Sequence, residues 1–402
     1  MTAPRSALQR CVGDPRRFAE EHWGRGPLLR SGPADRFSDL LTLRDVDHLV
    51  TGTLLRQPAF RLVKDGQPLD PKTYTQTIRI GGAPVERTAR QDRILEHFGD
   101  GATIVLQALH RQWPPVSALC RELELELTHP VQANAYVTPV TSRGFAVHHD
   151  THDVFVIQTH GHKEWRVYQP VVELAGKEQP WSKDLGDPGR PVLEAGLSPG
   201  DCLYIPRGFP HDAVAREEVS IHVTIGILAY MWVDLWRGLL RDLSDDVRFR
   251  EALPVGFAGD PRAVAEEIGV RAKDLQGWIE EKATSEMAEG FAERFWRSRR
   301  AILPGGLAQV ERLRGVGPNA RFRRRPGSVF RVSLEGDEAT VLLGFRVLRM
   351  PSFAEPALRF VAERTASFGV SDLPEGLDPD SRLVLLRRLV REGALEVEGA
   401  AG

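Results

Sequence analysis

The spacing of apolar positions changes twice along the chain. Up to about residue 131, helical and strand patterns alternate, and Pro15, Gly99 and the pair Asp65-Gly66 mark a helix start, a helix end and a turn. We predict helices over residues 15–23, 38–50, 92–99 and 113–127, and strands over residues 59–64 and 103–108. These elements are expected to flank a β-rich core.

From about residue 132 to residue 229 the pattern changes to short β runs separated by turn residues. The runs are NAYVT, GFAVHH, DVFVIQ, KEWRVYQ, CLYIP, AVAR and VSIHVTIGIL. This regular spacing of short strands is typical of a jelly-roll or cupin barrel. The polar stretch between Pro170 and Gly200 contains Gly and Pro, and we expect a loop near the mouth of the barrel.

After Met231 apolar residues recur at three- and four-residue spacing, which predicts helices that pack on the barrel or on a partner subunit. From Ser328 the pattern predicts two strands around a Gly-Asp turn, two helices and a final strand, an order that resembles a small winged-helix module. The stretch NARFRRRPG before it is the most basic in the chain and is interpreted as a linker.

Composition limits these interpretations. A chain of 402 residues is long enough for two or three domains, and a formal net charge of -2 provides no general attraction for nucleic acid or anionic membranes. Cys11, Cys120 and Cys202 lie far apart in the sequence, which favours a reducing compartment and argues against a disulfide framework or a thiolate metal site. The first ten residues lack a signal-peptide pattern, and no apolar run approaches the roughly 18 residues of a membrane span, so we expect a cytoplasmic protein.

A candidate metal site begins at the triplet His148-His149-Asp150, directly before the run DVFVIQ. On a strand, side chains two residues apart leave the same face, so His148 and Asp150 would converge. An HxD triplet also occurs in polar surface turns, and that alternative stays open. His149 should point to the opposite face, whereas His152 is either a substrate contact or a solvated loop residue.

His211 is the candidate third ligand, some sixty residues later in CLYIPRGFPHD. Pro206, Gly208 and Pro210 are expected to form a corner that places it, although a capped surface histidine has the same local pattern. Two imidazoles and one carboxylate make the facial triad of Fe(II) oxygenases, which leaves coordination positions for a cosubstrate and oxygen.

Lys163 is a candidate for the cation that binds the distal carboxylate of 2-oxoglutarate at such an iron site. The chain has only seven Lys among 53 Lys and Arg residues, and Lys163 shares a strand face with Trp165. A solvated hairpin lysine is the alternative. Asn134 and Ser220 could add hydrogen bonds to the same ligand, and the strand face of Ser220 also carries His222 and Thr224.

Several longer motifs extend this pattern over roughly residues 14–255. In order they are EHWGRGPLL, RLVKDG, GATIVLQALHRQWPPV, NAYVTP, GFAVHHDTHDVFVIQ, GHKEWRVYQP and GDCLYIPRGFPH. With these motifs the chain resembles the JmjC-type ribosomal oxygenases of the cupin superfamily, which are Fe(II)- and 2-oxoglutarate-dependent protein hydroxylases.

The resemblance implies a mainly β catalytic core, a double-stranded β-helix, with flanking helices, and an α+β protein overall. It implies a JmjC catalytic domain over residues 1–229, a helical dimerisation domain over residues 230–318 and a winged-helix domain over residues 319–402. The chain would then be a homodimer.

The same resemblance implies roles for individual residues. Fe(II) would be held by His148, Asp150 and His211, and 2-oxoglutarate by Lys163, Asn134 and Ser220. The reaction would couple decarboxylation of 2-oxoglutarate by O2 to hydroxylation of an Arg or His side chain of a ribosomal protein.

Two departures from the family pattern leave the substrate open, since fold and metal do not determine it. His149 and His152 stand where relatives often have aromatic or aliphatic residues, and Val140-Thr141 replaces a small Pro/Gly pair. The same chemistry on a small molecule or a modified peptide is one alternative. A non-catalytic cupin and winged-helix protein that binds nucleic acid or the ribosome is another, based on the stretch RFRRRP.

Overall fold

The computed structural model describes residues 6–140, 142 and 146–398. The chain divides into two compact units, Met1–Ala229 and Tyr230–Gly402, so a boundary lies where the pattern changes from strands to helices. The further division at residues 318 and 319 stays a prediction. Among the described residues, none of the helices combines the length and apolar character needed to cross a bilayer.

The first unit places helices before and beside a β-rich core. Its helices are α1 (Ala7–Val12), α2 (Pro15–Arg17), α3 (Leu43–Thr51), α4 (Gln91–Gly99) and α5 (Pro114–Leu127). Its strands are β1 (Leu28–Arg30), β2 (Phe60–Lys64), β3 (Gln67–Pro68), β4 (Thr75–Ile80), β5 (Ala83–Ala89), β6 (Thr103–Leu106), β7 (Val131–Thr138), β8 (Asp153–His160), β9 (Lys163–Tyr168), β10 (Pro191–Leu197), β11 (Cys202–Ile205), β12 (His211–Ala215) and β13 (Ser220–Ile227).

Within the described residues, two antiparallel sheets of this unit face each other. The larger has the order β1-β11-β8-β13-β7-β6-β2-β3, and the smaller has the order β10-β9-β12. Strand order that jumps along the chain, with helices covering one side, is the arrangement of a cupin barrel. The predicted double-stranded β-helix core is confirmed.

Strand β8 explains the unbroken apolar run in DVFVIQ. Val154 and Val156 pack between the two sheets, whereas Phe155 and Ile157 pack in the core that the large sheet shares with the helices. Because both faces of the strand are buried, every position from Val154 to Ile157 is apolar and the usual alternation disappears. The site therefore lies on the inner face, between the sheets.

The helices and strands predicted before residue 131 correspond to observed elements, with shifts at their ends. Helix α3 begins at Leu43 and not at Ser38, because Thr42 caps it: the Thr42 hydroxyl accepts from the Asp45 amide, and the Asp45 carboxylate accepts from the Thr42 amide. The hairpin of β4 and β5 was not predicted. The predicted turn at Asp65-Gly66 is present, with both residues in the left-handed region.

Two predictions for the core were wrong. Residues 170–200 are not only a loop, because they include β10, an edge strand that pairs with β9. GFAVHH is not a strand where it is described: residues 146–149 contain only an isolated bridge between His148 and His211. Residues 144 and 145 of that run lie outside the described residues.

The second unit begins with helices and ends with a small α+β arrangement. Its helices are α6 (Trp232–Arg241), α7 (Pro261–Lys282), α8 (Ser285–Arg297), α9 (Gly306–Arg312), α10 (Glu355–Glu363) and α11 (Pro379–Arg391). Its strands are β14 (Arg321–Arg324), β15 (Arg331–Glu335), β16 (Glu338–Leu343), β17 (Arg346–Pro351), β18 (Phe368–Gly369) and β19 (Leu395–Val397).

Residues 328–351 form three strands and not the predicted two, because Gly344, in the left-handed region, turns β16 into β17. The two predicted helices and the final strand are present. The winged-helix identity of this part stays a prediction.

The basic stretch RFRRR is not a linker. Its first four residues form β14, which pairs with β18 and β19. Arg323 and Arg325 form ion pairs with Glu396 at 3.0 and 3.1 Å, and the Arg324 guanidinium donates to the carbonyl of Ala362. These arginines therefore stabilise their own unit, which weakens the argument for nucleic acid.

Candidate functional site

The inner faces of the two sheets enclose a cavity of about 240 Å³. Side chains two residues apart on a strand point to the same face, so alternate residues of each strand line the cavity. The lining residues are Arg61, Thr103, Tyr136, His148, Asp150, Val154, Val156, Lys163, Trp165, His211, Asp212, Ala213, His222 and Thr224. All three predicted metal ligands and the predicted lysine are among them.

His148, Asp150 and His211 converge at one point of this cavity. One ligand atom from each lies within 4.8 Å of the others, and Nε2 of His211 is 3.9 Å from Oδ2 of Asp150. Three ligand atoms from two imidazoles and one carboxylate, on one side of a cavity, suit a divalent metal that keeps open positions.

His148 and Asp150 are not placed by a regular strand as predicted, whereas His211 begins β12. The amide of His211 donates to the carbonyl of His148 at 2.8 Å, and the amide of His148 donates back at 3.2 Å. Asp150 lies in a loop, where its carbonyl accepts from the amide of Gly208 at 3.0 Å. The triplet and the corner before His211 are thus joined directly to each other, which a rule about single strands could not predict.

An ion pair buried beside the ligands reinforces this connection. Arg207 donates to Oδ2 of Asp153 at 2.9 Å, and the Tyr204 hydroxyl donates to Oδ1 at 2.9 Å. Burial raises the pKa of Tyr204, so the hydroxyl keeps its proton for this bond. Asp153 is the first residue of β8 and Arg207 belongs to the corner, so the pair connects the two segments that carry the ligands.

The hydrogen bonds of the two histidines suit metal binding. Nδ1 of His148 lies 2.8 Å from the carbonyl of Ala146, and Nδ1 of His211 lies 3.1 Å from the carbonyl of Phe209. A carbonyl only accepts, so each Nδ1 carries the proton and each Nε2 is left with its lone pair.

The protonation states point the same way. Burial, with a further effect of His148, lowers the pKa of His211 to about 4, so its imidazole is neutral near pH 7. Burial opposes the charge of Asp150, but the neighbouring histidines, His211 foremost, lower its pKa overall and keep the carboxylate ionised. Neutral imidazoles and an ionised carboxylate are the forms that bind metals.

Lys163 lies inside the same cavity with 4% of its surface exposed. Its Nζ donates to the hydroxyl of Thr138 at 3.0 Å and lies 5.9 Å from the Trp165 ring. Burial lowers the pKa of Lys163 to about 7. The solvated-hairpin alternative is excluded, and a buried ammonium with so little compensation is suited to bind an anion.

Asn134 and Ser220 are placed differently from Lys163. Oδ1 of Asn134 accepts from the amide of Ala108 at 3.0 Å, and the hydroxyl of Ser220 accepts from Gln158 at 2.9 Å. Neither belongs to the described lining of the cavity. Their contact with 2-oxoglutarate stays a prediction.

His222 and Thr224 do line the cavity. The His222 ring stacks on Tyr136 with centroids 4.9 Å apart and planes 6° apart, and Trp165 meets His222 edge-on at 5.3 Å. Burial, with the nearby Lys163, lowers the pKa of His222 well below its usual value, so this aromatic wall is uncharged.

The polar lining residues Arg61, Thr103 and Asp212 were missed in the sequence, as was Thr138, the partner of Lys163. Arg61 is on β2 and Thr103 on β6, both in the segment interpreted as scaffold. The hydroxyl of Thr103 donates to that of Thr138 at 3.3 Å, so β6 and β7 contribute to the lysine end of the cavity. Only the pairing of β2, β6 and β7 reveals this, although Thr138 ends the run NAYVT that the motif contains.

The two unusual histidines near the triplet do not belong to the described lining. His149 is buried, with Nε2 3.0 Å from the carbonyl of Gln179. His152 lies against Gly226, where a Cβ would come within 2.6 Å of its ring, and its contact with substrate stays a prediction. Val140 is exposed, and Thr141 lies outside the described residues.

The sequence around this site is similar to that of known proteins. Residues 108–235 match the family model of the JmjC domain. The chain is 32% identical over 257 residues to ribosomal oxygenase 1 of Gallus gallus, covering 61% of this chain and 41% of that protein. It is 33% identical over 247 residues to the bifunctional lysine-specific demethylase and histidyl-hydroxylase NO66 of Dictyostelium discoideum. That match covers 59% of this chain and 46% of that protein. The chain thus spans less than half the length of these relatives.

Solved structures share the fold across the chain. The Escherichia coli ribosomal oxygenase YcfD aligns with a TM-score of 0.54 and 21% identity, covering 96% of this chain and 98% of that one. A second structure of YcfD, in complex with cobalt and 2-oxoglutarate, aligns with a TM-score of 0.52 and 20% identity. The alignment covers 96% of this chain and 98% of that one. At this identity the likeness concerns the fold. Together with the family match, it confirms the resemblance to the JmjC-type ribosomal oxygenases.

Proposed function

Since residues 108–235 form a JmjC domain in a chain related to the ribosomal oxygenases, we propose that this protein is an Fe(II)- and 2-oxoglutarate-dependent protein hydroxylase. Its substrate is an Arg or His side chain of a ribosomal protein. The observation that carries the proposal is the convergence of His148, Asp150 and His211 in a cavity that also holds the buried Lys163.

His148, Asp150 and His211 hold the metal, which when bound supplies the activation of oxygen. The carbonyls of Ala146 and Phe209 keep the two imidazoles in the Nδ1-protonated form, which leaves the lone pair of each Nε2 for a metal. The YcfD structure in complex with cobalt and 2-oxoglutarate supports the choice of a metal and of 2-oxoglutarate.

Lys163 binds the distal carboxylate of 2-oxoglutarate. The charged ammonium of Lys163 forms the ion pair with this carboxylate. The Thr138 hydroxyl accepts a hydrogen bond from Nζ and thereby orients the ammonium. Tyr136, Trp165 and His222 form the aromatic wall of the cavity, which excludes water and strengthens this charge interaction.

The assignment of a ribosomal substrate is supported by a relative named ribosomal oxygenase, and the His alternative by a relative named histidyl-hydroxylase. It is tested by mass spectrometry of ribosomal proteins from cells lacking the gene, complemented either by the wild type or by His148→Ala. We expect one side chain to carry an added oxygen atom only with the wild type.

Identical ribosomal proteins in both strains, together with 2-oxoglutarate turnover by the purified wild type, would assign the chemistry to a small molecule or modified peptide. Absence of turnover by the iron-loaded wild type would instead refute the oxygenase proposal.

We further propose that the protein is a homodimer that associates through helix α6. Trp232, Trp236 and Leu240 follow one another at four-residue spacing on α6 and are exposed. An exposed apolar stripe of this kind marks an interaction surface.

A further inference from the structure

The two segments that carry the metal ligands need support from outside the barrel. His148 takes part only in an isolated bridge, Asp150 lies in a loop, and the corner at residues 206–210 precedes β12. Backbone outside regular pairing opens more easily than the interior of a strand. Metal ligands, however, must be held to within a fraction of an ångström.

One segment contacts both ligand-bearing segments from the side away from the cavity. We call residues 172–181 the strap; all of them are described, and they form neither helix nor strand. No strap residue is among the described residues that line the cavity. The strap therefore affects the site only through the backbone that carries the ligands.

The first contact is made by His149, the residue between two ligands. Its side chain is 3% exposed, and its Nε2 donates to the strap carbonyl of Gln179 at 3.0 Å. The ring of Trp181 meets it edge-on, with centroids 5.3 Å apart. Hydrogen bond and ring contact together fix the side chain opposite to those of His148 and Asp150.

The second contact is made at Gly208, in the corner before His211. Gly208 has a φ of +85°, and a Cβ there would lie 2.2 Å from the carbonyl oxygen of Val172 and 3.2 Å from the amide nitrogen of Ala175. The strap backbone thus lies directly against the corner. The amide of Gly208 also donates to the carbonyl of Asp150, so Gly208 contacts both the strap and the loop that carries Asp150.

The strap is itself closed into a compact turn. The amide of Gln179 donates to the carbonyl of Gly176 at 2.9 Å, and the amide of Gly176 donates to Oε1 of Gln179 at 2.8 Å. Ala175 is fully buried. A turn with these bonds can hold a neighbouring segment in place.

We propose that the strap is the outer support of the metal site and that His149 is a positioning residue for His148 and Asp150. The inference rests on the proposed metal site and adds a function for a buried histidine that does not belong to the described lining of the cavity. His149 acts through the backbone, by preventing rotation of the triplet, and does not touch the metal.

The test measures metal affinity without any turnover. Mn(II) is titrated by calorimetry into chain prepared with a chelator, for the wild type and for His149→Ala, His149→Gln and Trp181→Ala. We expect His149→Ala to weaken binding by about 10- to 100-fold, the range typical of residues that orient metal ligands. His149→Gln keeps an N–H donor for the Gln179 carbonyl and should return to within about threefold of the wild type.

His162→Ala is the matched control, because His162 is exposed and bonded to Glu218, away from the strap. Thermal unfolding of each metal-free variant shows whether it folds. If His149→Ala does not fold at the titration temperature, Trp181→Ala, which leaves the triplet unchanged, carries the test. A purely structural role predicts weaker stability with unchanged Mn(II) affinity of the folded chain, and that result would overturn the proposal.

His148→Ala separates this proposal from the proposed function. If His148→Ala binds Mn(II) as tightly as the wild type, the metal site is not at the triad and both proposals fail. If His148→Ala abolishes binding while the variants at His149 and Trp181 match the wild type, only the role of the strap is refuted.

Discussion

Arg207 and Asp153 form a buried ion pair, 2.9 Å from Nη1 to Oδ2, between the corner before His211 and the start of strand β8. The carboxylate is fully buried, and the guanidinium side chain is only 13% exposed. The pair joins the two segments that carry the metal ligands, so its loss should reduce both stability and metal affinity.

We expect Arg207→Met to lower the free energy of unfolding by about 3–5 kcal/mol, because it leaves the Asp153 carboxylate buried without its cation. Urea unfolding measures the change. Arg216→Met is the control: Arg216 pairs with Glu164 at 3.3 Å where both side chains are exposed, and its loss should cost at most about 1 kcal/mol. Equal effects of the two substitutions would contradict a structural role of the buried pair.

The triad predicts that 2-oxoglutarate turnover depends completely on three side chains. His148→Ala or Asp150→Ala should abolish 2-oxoglutarate turnover, because two remaining ligands hold the metal too weakly. Succinate formation followed by NMR measures this. Removal of metal by a chelator should have the same effect on the wild type, and added Fe(II) should restore activity. Full turnover by either variant would refute the site.

Lys163→Ala should mainly raise the concentration of 2-oxoglutarate needed for half-maximal turnover. The lost charge-assisted bond, worth about 1.5–3 kcal/mol, corresponds to roughly 10- to 150-fold. Initial rates at varied 2-oxoglutarate measure the change, with Lys72→Ala, a variant of a lysine on the scaffold, as the control. If the 2-oxoglutarate concentration for half-maximal turnover is unchanged, another residue binds the distal carboxylate.

The depressed pKa of Lys163 predicts a pH dependence of 2-oxoglutarate binding. Below a pKa of about 7 the ammonium is charged and attracts the carboxylate, and above it the neutral amine does not, so affinity falls as pH rises. Between about pH 6 and about pH 8 the dissociation constant should rise roughly tenfold.

Calorimetry with the Mn(II)-loaded chain measures this, and Lys163→Arg is the matched comparison. An arginine stays charged over the whole range, so its profile should lack the step that the wild type shows. The same step in both proteins would assign the titration to another group.

The exposed stripe of α6 predicts a dimer that charge can disrupt. The double variant Trp232→Glu, Trp236→Glu should sediment as a monomer, because the carboxylates cannot be buried unpaired in an apolar interface. Leu307→Glu, at an exposed apolar position on α9 of the same unit, should leave the association unchanged. A wild type that sediments as a monomer would refute the dimer.

Much of the site could be predicted from the sequence, because its signals are local. The triplet His148-His149-Asp150, the corner before His211 and the rare Lys163 are each short patterns, and the side chains of His148, Asp150, His211 and Lys163 line one cavity. The apolar runs likewise predicted strands such as β7, β8, β9, β11 and β13, since burial on both faces leaves a continuous signature such as VFVI in β8, whereas β10 was missed.

The remaining features depend on contacts between distant segments, which no local pattern encodes. His148 is placed by its pairing with His211 at the start of β12 and not by a strand of its own, and Thr103 and Thr138 meet only because β6 pairs with β7. The sequence by itself determined which residues carry the chemistry, because chemistry depends on residue type and short spacing. Only the tertiary structure decided how they are held, because the hydrogen bonds and ion pairs that hold them join residues far apart in the chain.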